Sequence, residues 1–130
     1  MGCCLVLMTG CGALGGSSDS GSDSGSAPST DLTIAVQPNG SSGPTRTWTL
    51  RCDPPGGSLP GARAACVRLR PEALRPLAPD TICTQIYGGP QTAHVRGRLR
   101  GRPVDARFSR NNGCEIHRWD SVRFLLPVKI

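Results

Sequence analysis

From Asp31 to Val36 the chain alternates: Leu32, Ile34 and Val36 are large and apolar, and Asp31, Thr33 and Ala35 are polar or small. That period of two predicts a half-buried strand. Thr45 to Cys52 alternates again, with Arg46, Trp48, Leu50 and Cys52 on one side. Between them, residues 37–44 are dense in Pro, Gly, Asn and Ser, so the two strands are expected to form an antiparallel hairpin. Asp53-Pro54-Pro55-Gly56-Gly57 breaks the second strand. Pro60 to Arg70 is the best helix candidate, with proline in the first turn and Ala62, Cys66 and Leu69 on one face. Pro71 ends it, and Pro76 and Pro79 make the approach to Cys83 irregular. Thr92 to Arg100 and Arg102 to Phe108 predict a second hairpin around Gly101. Asn111-Asn112-Gly113 is a turn or a helix start, Cys114 to Trp119 a short helix, and Arg123 to Val128 a last strand. The expected class is α+β: a five-stranded antiparallel sheet with two short helices packed on it.

Composition divides the 130 residues into three parts. Residues 12–30 are almost wholly Gly, Ser, Asp, Ala, Pro and Thr, too apolar-poor to offset the entropy of ordering. The division expected is a signal segment over 1–10, a flexible tether over 11–30 and one domain over 31–130. Roughly 100 residues suffice for one modest core. Its only aromatics are Trp48, Tyr87, Phe108, Trp119 and Phe124, so disulfides would help it. At the start, Cys3-Cys4-Leu5-Val6-Leu7-Met8 is apolar but too short to span a bilayer. With Thr9-Gly10-Cys11 behind it, it looks like the end of a bacterial lipoprotein signal, with Cys11 as the lipidated residue. The implied location is extracellular, on the outer face of the cell membrane. A tether of this length reaches roughly 25 Å on average. An ordinary cleaved signal and free secretion is the alternative. The segment lacks the Lys or Arg with which signals begin, so the true start is expected to lie further upstream.

All 15 basic residues lie from Arg46 onward, against six acidic ones, so that region carries a net charge of +9. Such a domain can meet an anionic surface, nucleic acid or an acidic protein. Fourteen of the 15 are Arg, a bias also produced by genome composition, which discounts it as a binding signal. Arg96, Arg98, Arg100 and Arg102 are spaced by two, yet no aromatics interleave with them as single-strand binding requires, so nucleic acid is not an expected partner. The plain reading is the solvated face of a sheet, with Arg102 carried off it by the turn at Gly101. No Gly-x-Ser-x-Gly, no His-Glu-x-x-His and no suggestive carboxylate pair appears, and His94 and His117 read as surface or structural residues. Neither an enzyme nor a cofactor is expected. The four cysteines after residue 50 suit disulfides in an oxidising compartment; zinc is the competing reading, weakened by the absence of any Cys-x-x-Cys pair.

A set of motifs then falls in order: Leu50-Arg51-Cys52-Asp53-Pro54, Leu59-Pro60-Gly61-Ala62, Ala65-Cys66-Val67-Arg68-Leu69 and Cys83-Thr84-x-x-Tyr87. Gly97-x-x-x-Gly101, Phe108-Ser109 and Asn112-Gly113-Cys114 continue the series. From about Asp31 to Val128 the chain resembles the Streptomyces-type subtilisin inhibitors, small secreted inhibitors of serine proteases. The resemblance implies bridges Cys52–Cys66 and Cys83–Cys114. It implies a reactive bond between Gln85 and Ile86, with Ile82, Cys83, Thr84 and Tyr87 contacting the protease and the Asn112 side chain bracing the loop from behind. The implied partner is a subtilisin-like protease, because such enzymes favour an apolar residue at Ile82's position and accept varied ones at Gln85's. The family's sheet-mediated dimer would set arginines around Arg98 against their own copies, so a weak homodimer or a monomer is expected.

The chain also departs from the pattern. After the reactive bond the family has Tyr-Asp-Pro; here Tyr87 is followed by Gly88-Gly89-Pro90, a pair of glycines expected to loosen the loop. Fewer residues precede Phe108, and more separate it from Cys114. The residue before the reactive bond is usually Met, Leu, Lys or Arg, and here it is Gln85. The rival reading is a non-inhibitory cell-surface binding module that keeps the fold.

Overall fold

The structure, a computed structural model, describes residues 29–130. The expected signal segment, Cys11 and nearly all of the expected tether lie outside the described residues. Strand β1 is Thr30–Gln37 and β2 is Arg46–Cys52. They pair antiparallel with Leu32 opposite Leu50 and Ile34 opposite Trp48. Strands β3 (Thr92–Leu99) and β4 (Arg102–Phe108) form the second hairpin, with Val95 opposite Ala106. β1 also pairs with β3, Ile34 facing Val95, so the sheet order is β2-β1-β3-β4. Leu32, Ile34, Val36, Leu50 and Val95 are fully buried, so the period of two places one face of the sheet on the core. The β3–β4 turn is Arg100-Gly101, both at positive φ, as a two-residue hairpin turn of the mirror-image kind needs. Gly101 N–H donates to Ser29 O, and Arg100 N–H to Thr30 Oγ1, which fixes this turn against the start of β1.

Helix α1 is Ala62–Arg68, shorter than the expected Pro60–Arg70. Gly61 precedes it in the left-handed region, and Leu69 leaves it in extended conformation, two residues before Pro71 opens a single 3-10 turn over Pro71–Leu74. Ala65 and Leu69 are buried, with Ala62 and Cys66 packed against the core beside them. Helix α2 is Gly113–Ser121, capped by Asn112, whose Oδ1 accepts from Glu115 N. Its Trp119 is completely buried.

Among the described residues the sheet has four strands, not five. The segment expected as a last strand, Arg123 to Val128, instead begins with a 3-10 turn over Arg123–Leu125. Val122, Leu125 and Leu126 are buried, a spacing of three and four that suits a helical turn and not alternation. Leu125 N–H donates to Val122 O at 2.8 Å and Leu126 N–H to Arg123 O at 3.0 Å. Pro127 follows with no N–H to offer a strand neighbour.

Among the described residues two disulfides close the fold. Cys52–Cys66 joins the end of β2 to α1, and Cys83–Cys114 joins the long segment after Leu74 to the start of α2. The zinc reading of these cysteines is thereby overturned, because a disulfide sulfur has no thiolate to give a metal. Among the described residues no helix is long and apolar enough to cross a membrane.

Candidate functional site

Between Leu74 and Thr92 the chain forms no helix or strand, and its middle stands clear of the body. Ile82 is 95% exposed, Tyr87 66% and Ile86 59%, large apolar surfaces that a solvated loop has no reason to display. Thr84 and Gln85 between them are exposed as well. The Gln85 side chain turns back on its own loop, Nε2 donating to Cys83 O at 3.1 Å.

From Ile82 to Gly88 the backbone makes two backbone hydrogen bonds, and both go to the short stretch that leads into α2. Thr84 O accepts from Gly113 N at 2.9 Å, and Gly88 N–H donates to Arg110 O at 2.7 Å. The Cys83–Cys114 bridge is a third tie to that stretch, with Cα atoms 5.4 Å apart. Sequence-expected residues Cys83, Thr84 and Cys114 are therefore brought together. Asn112 sits beside them, but its side chain is engaged at the helix N-terminus. It is the backbone of Gly113, the next residue, that meets the loop. A Cβ at Gly113 would lie 2.0 Å from Thr84 Oγ1, so this approach leaves no room for one while the Thr84 hydroxyl keeps its place.

The loop exit differs from the expectation of looseness. A Cβ on Gly88 would come within 2.8 Å of Ile116 Cδ1 and 3.2 Å of Arg110 Cβ, so this glycine allows tight packing on α2. Arg110 Nε donates to Gly88 O at 3.2 Å. Arg110 is itself only 8% exposed; its guanidinium lies over the Trp119 ring at 5.9 Å and is 3.5 Å from the Asp120 carboxylate. The hydrogen bond from Arg123, with a smaller contribution from Arg110, holds the Asp120 carboxyl below its ordinary value of 3.8. Arg110 did not stand out in the sequence. The signal available was the lengthened spacing between Phe108 and Cys114, in which it lies.

The remaining candidates fall elsewhere. His94 is on the solvent face of the sheet, with Nε2 2.6 Å from Asp105 Oδ1. That hydrogen bond is the main cause holding the Asp105 carboxyl below 3.8. His117 is exposed on α2, and Arg96 and Arg98 are exposed on β3. Arg98 donates to Gly101 O at 3.0 Å, and Arg102 has the inward parity of β4, off the face that Arg96 and Arg98 share. Among the described residues no cluster of three His, Cys, Asp or Glu could hold a metal ion.

Comparison with known proteins agrees with this geometry. Residues 27–112 match the Subtilisin inhibitor-like family. A relative from Streptomyces cacaoi, subtilisin inhibitor-like protein 1, is 39% identical over 80 residues, which cover 56% of this chain and 72% of the relative. With the family match spanning most of the domain and both implied bridges formed, one of them at the exposed loop, the chain belongs to the subtilisin inhibitor-like family.

Proposed function

We propose that the protein inhibits subtilisin-like serine proteases by offering Gln85–Ile86 as a substrate-like bond. The observation that carries this reading is the exposed Ile82–Tyr87 stretch beside a disulfide, with Thr84 O held by Gly113 N–H. A loop tied in this way loses little conformational entropy on docking, which favours affinity. Ile82 then fills an apolar subsite and Gln85 enters the primary specificity pocket, with Cys83, Thr84 and Tyr87 along the cleft.

The chemistry follows from ordinary acyl transfer. The protease serine Oγ attacks the Gln85 carbonyl carbon, and the oxyanion hole stabilises the tetrahedral intermediate. Collapse breaks the C–N bond, and the proton taken from serine passes to the departing Ile86 amine. In a substrate that amine diffuses away and water attacks the ester. Here the amine stays in place, at the high effective concentration of a well-oriented intramolecular group, and attacks the ester carbonyl. The amide re-forms and serine regains its proton.

The lipoprotein-like segment ending at Cys11 supports a place on the outer face of the cell membrane, with residues 12–30 as slack between anchor and domain. Replacing Cys11 by Ser should release the domain from the membrane fraction; wild-type protein found wholly soluble, with its N-terminus beyond Cys11, would contradict the anchor. The inhibitory reading is tested by titrating subtilisin with the oxidised and the reduced domain. Stoichiometric inhibition by the oxidised form alone is expected. Rapid digestion of the oxidised form at several bonds would leave the binding-module reading.

A further inference from the structure

We infer that Arg110 is the positioning residue for the amine side of the reactive bond, an inference that rests on the inhibitory reading above. The acyl side is held by the Cys83–Cys114 bridge and by Gly113 N–H on Thr84 O. Across the bond, Gly88 and Arg110 are joined twice: Gly88 N–H donates to Arg110 O at 2.7 Å, and Arg110 Nε–H donates to Gly88 O at 3.2 Å. Both sides of Gln85–Ile86 thus hang from one stretch, Arg110 to Cys114. Arg110 is a firm anchor because it is buried, stacked on Trp119 and paired with Asp120. A charged donor in such a site makes a stronger hydrogen bond than a neutral one. Ile116 and the stem of Arg110 close over Gly88, where an added Cβ would come within 2.8 Å of Ile116 Cδ1 and displace that side chain.

The consequence concerns the cut state. The amine released by cleavage belongs to Ile86, two residues before Gly88, and two residues reach at most about 7 Å. The clamp at Gly88 therefore keeps that amine close to the acyl-enzyme. The two-glycine exit and the lengthened stretch before Cys114 act together: the exit gives up a side chain, and the added stretch supplies the residue that holds its backbone.

The test uses the full chain with Arg110→Met, which keeps an aliphatic stem beside Gly88, and Arg110→Lys, which keeps the charge near Asp120 but has no Nε–H at Gly88 O. Ile34→Val, a core truncation on β1, serves as the control for general destabilisation. Hydrogen exchange of the Gly88 amide is followed in the free protein, and release of the chain cut at Gln85–Ile86 is followed with subtilisin. Losing one hydrogen bond from a charged donor predicts roughly 10- to 100-fold faster Gly88 exchange in both Arg110 variants. A parallel rise in release of the cut chain is expected. Ile34→Val should lower the melting temperature and leave both unchanged. Gly88 exchange that is unaltered in Arg110→Met, or that rises only in step with core amides such as Val95, overturns the clamp. Faster Gly88 exchange with unchanged release of the cut chain overturns its role at the amine. A wild-type protein that fails to inhibit subtilisin overturns the inhibitory reading and the amine-side role with it, while the exchange data separately decide whether Arg110 holds Gly88.

Discussion

At the scale of single residues, Gln85 and Gly113 mark the two kinds of position in the loop. Gln85 is exposed, and its one side-chain hydrogen bond goes to its own loop, at Cys83 O. Changing it should leave the body untouched. Gln85→Lys is expected to add inhibition of trypsin, whose specificity pocket needs a cation, with an unchanged melting temperature. Residual trypsin activity and a thermal melt check this, and a folded variant that leaves trypsin fully active would count against the assigned bond. Gly113 is the opposite case, because a methyl group there meets Thr84 Oγ1 at 2.0 Å. Overpacking of this kind costs about 1–3 kcal/mol. Gly113→Ala should relieve the clash by turning the Thr84 side chain or shifting the loop, so inhibition weakens by roughly tenfold per 1.4 kcal/mol while the core stays folded. An unchanged inhibition constant would show that Thr84 does not depend on Gly113.

At the scale of elements, the two bridges are predicted to separate stability from function. In a chain-entropy view each contributes about 3–4 kcal/mol. Cys52–Cys66 joins β2 to α1, away from the loop, and Cys83–Cys114 joins the loop to α2. Replacing Cys52 and Cys66 by Ala should lower the melting temperature and spare inhibition in the protein that remains folded. Replacing Cys83 and Cys114 should turn the loop into a substrate cut at Gln85–Ile86, and equal inhibition by the two double variants would refute the division. The elements that could be read from sequence are those whose pattern is local. β1 shows Leu32, Ile34 and Val36 at every second place, and the β3–β4 turn shows its Gly101. The segment after Val122 could not be read, because adjacent Leu125 and Leu126 fit either a strand or a turn until α2 fixes where they point. Arg110 was hidden for a related reason. One arginine among 14 looks like surface charge until Trp119, Asp120 and Gly88 are brought around it. The glycines after Tyr87 suggested slack because the packing partner of Gly88, Ile116, is distant in sequence.

At the scale of the whole molecule, charge governs the remaining behaviour. Asp105 and Asp120 both have carboxyl groups held below 3.8, by His94 and by Arg123 foremost. Carboxyls lowered on folding contribute stability that is fully present above the unfolded value, near 3.9, and lost as pH falls through the lower folded value. Stability should therefore fall as pH drops below about 4, and Asp120→Asn, which lacks that titration, should melt lower at neutral pH and lose less in acid, as a pH series of thermal melts would show. The solvent face of the sheet carries Arg51, Arg96, Arg98 and Arg107 against Asp31 and Asp105. A two-fold contact through it would bring like charges together, so sedimentation should find a monomer, or a weak dimer that tightens with salt. A tight dimer insensitive to salt would contradict this. The central claim is that the ties on Ile82–Gly88 make this loop an inhibitor and not a substrate. It is tested most directly by incubating the oxidised protein with equimolar subtilisin and following both protease activity and the intact chain over time. The account predicts lasting loss of activity with slow, single cleavage between Gln85 and Ile86; prompt recovery of activity with the chain cut at several bonds would contradict it.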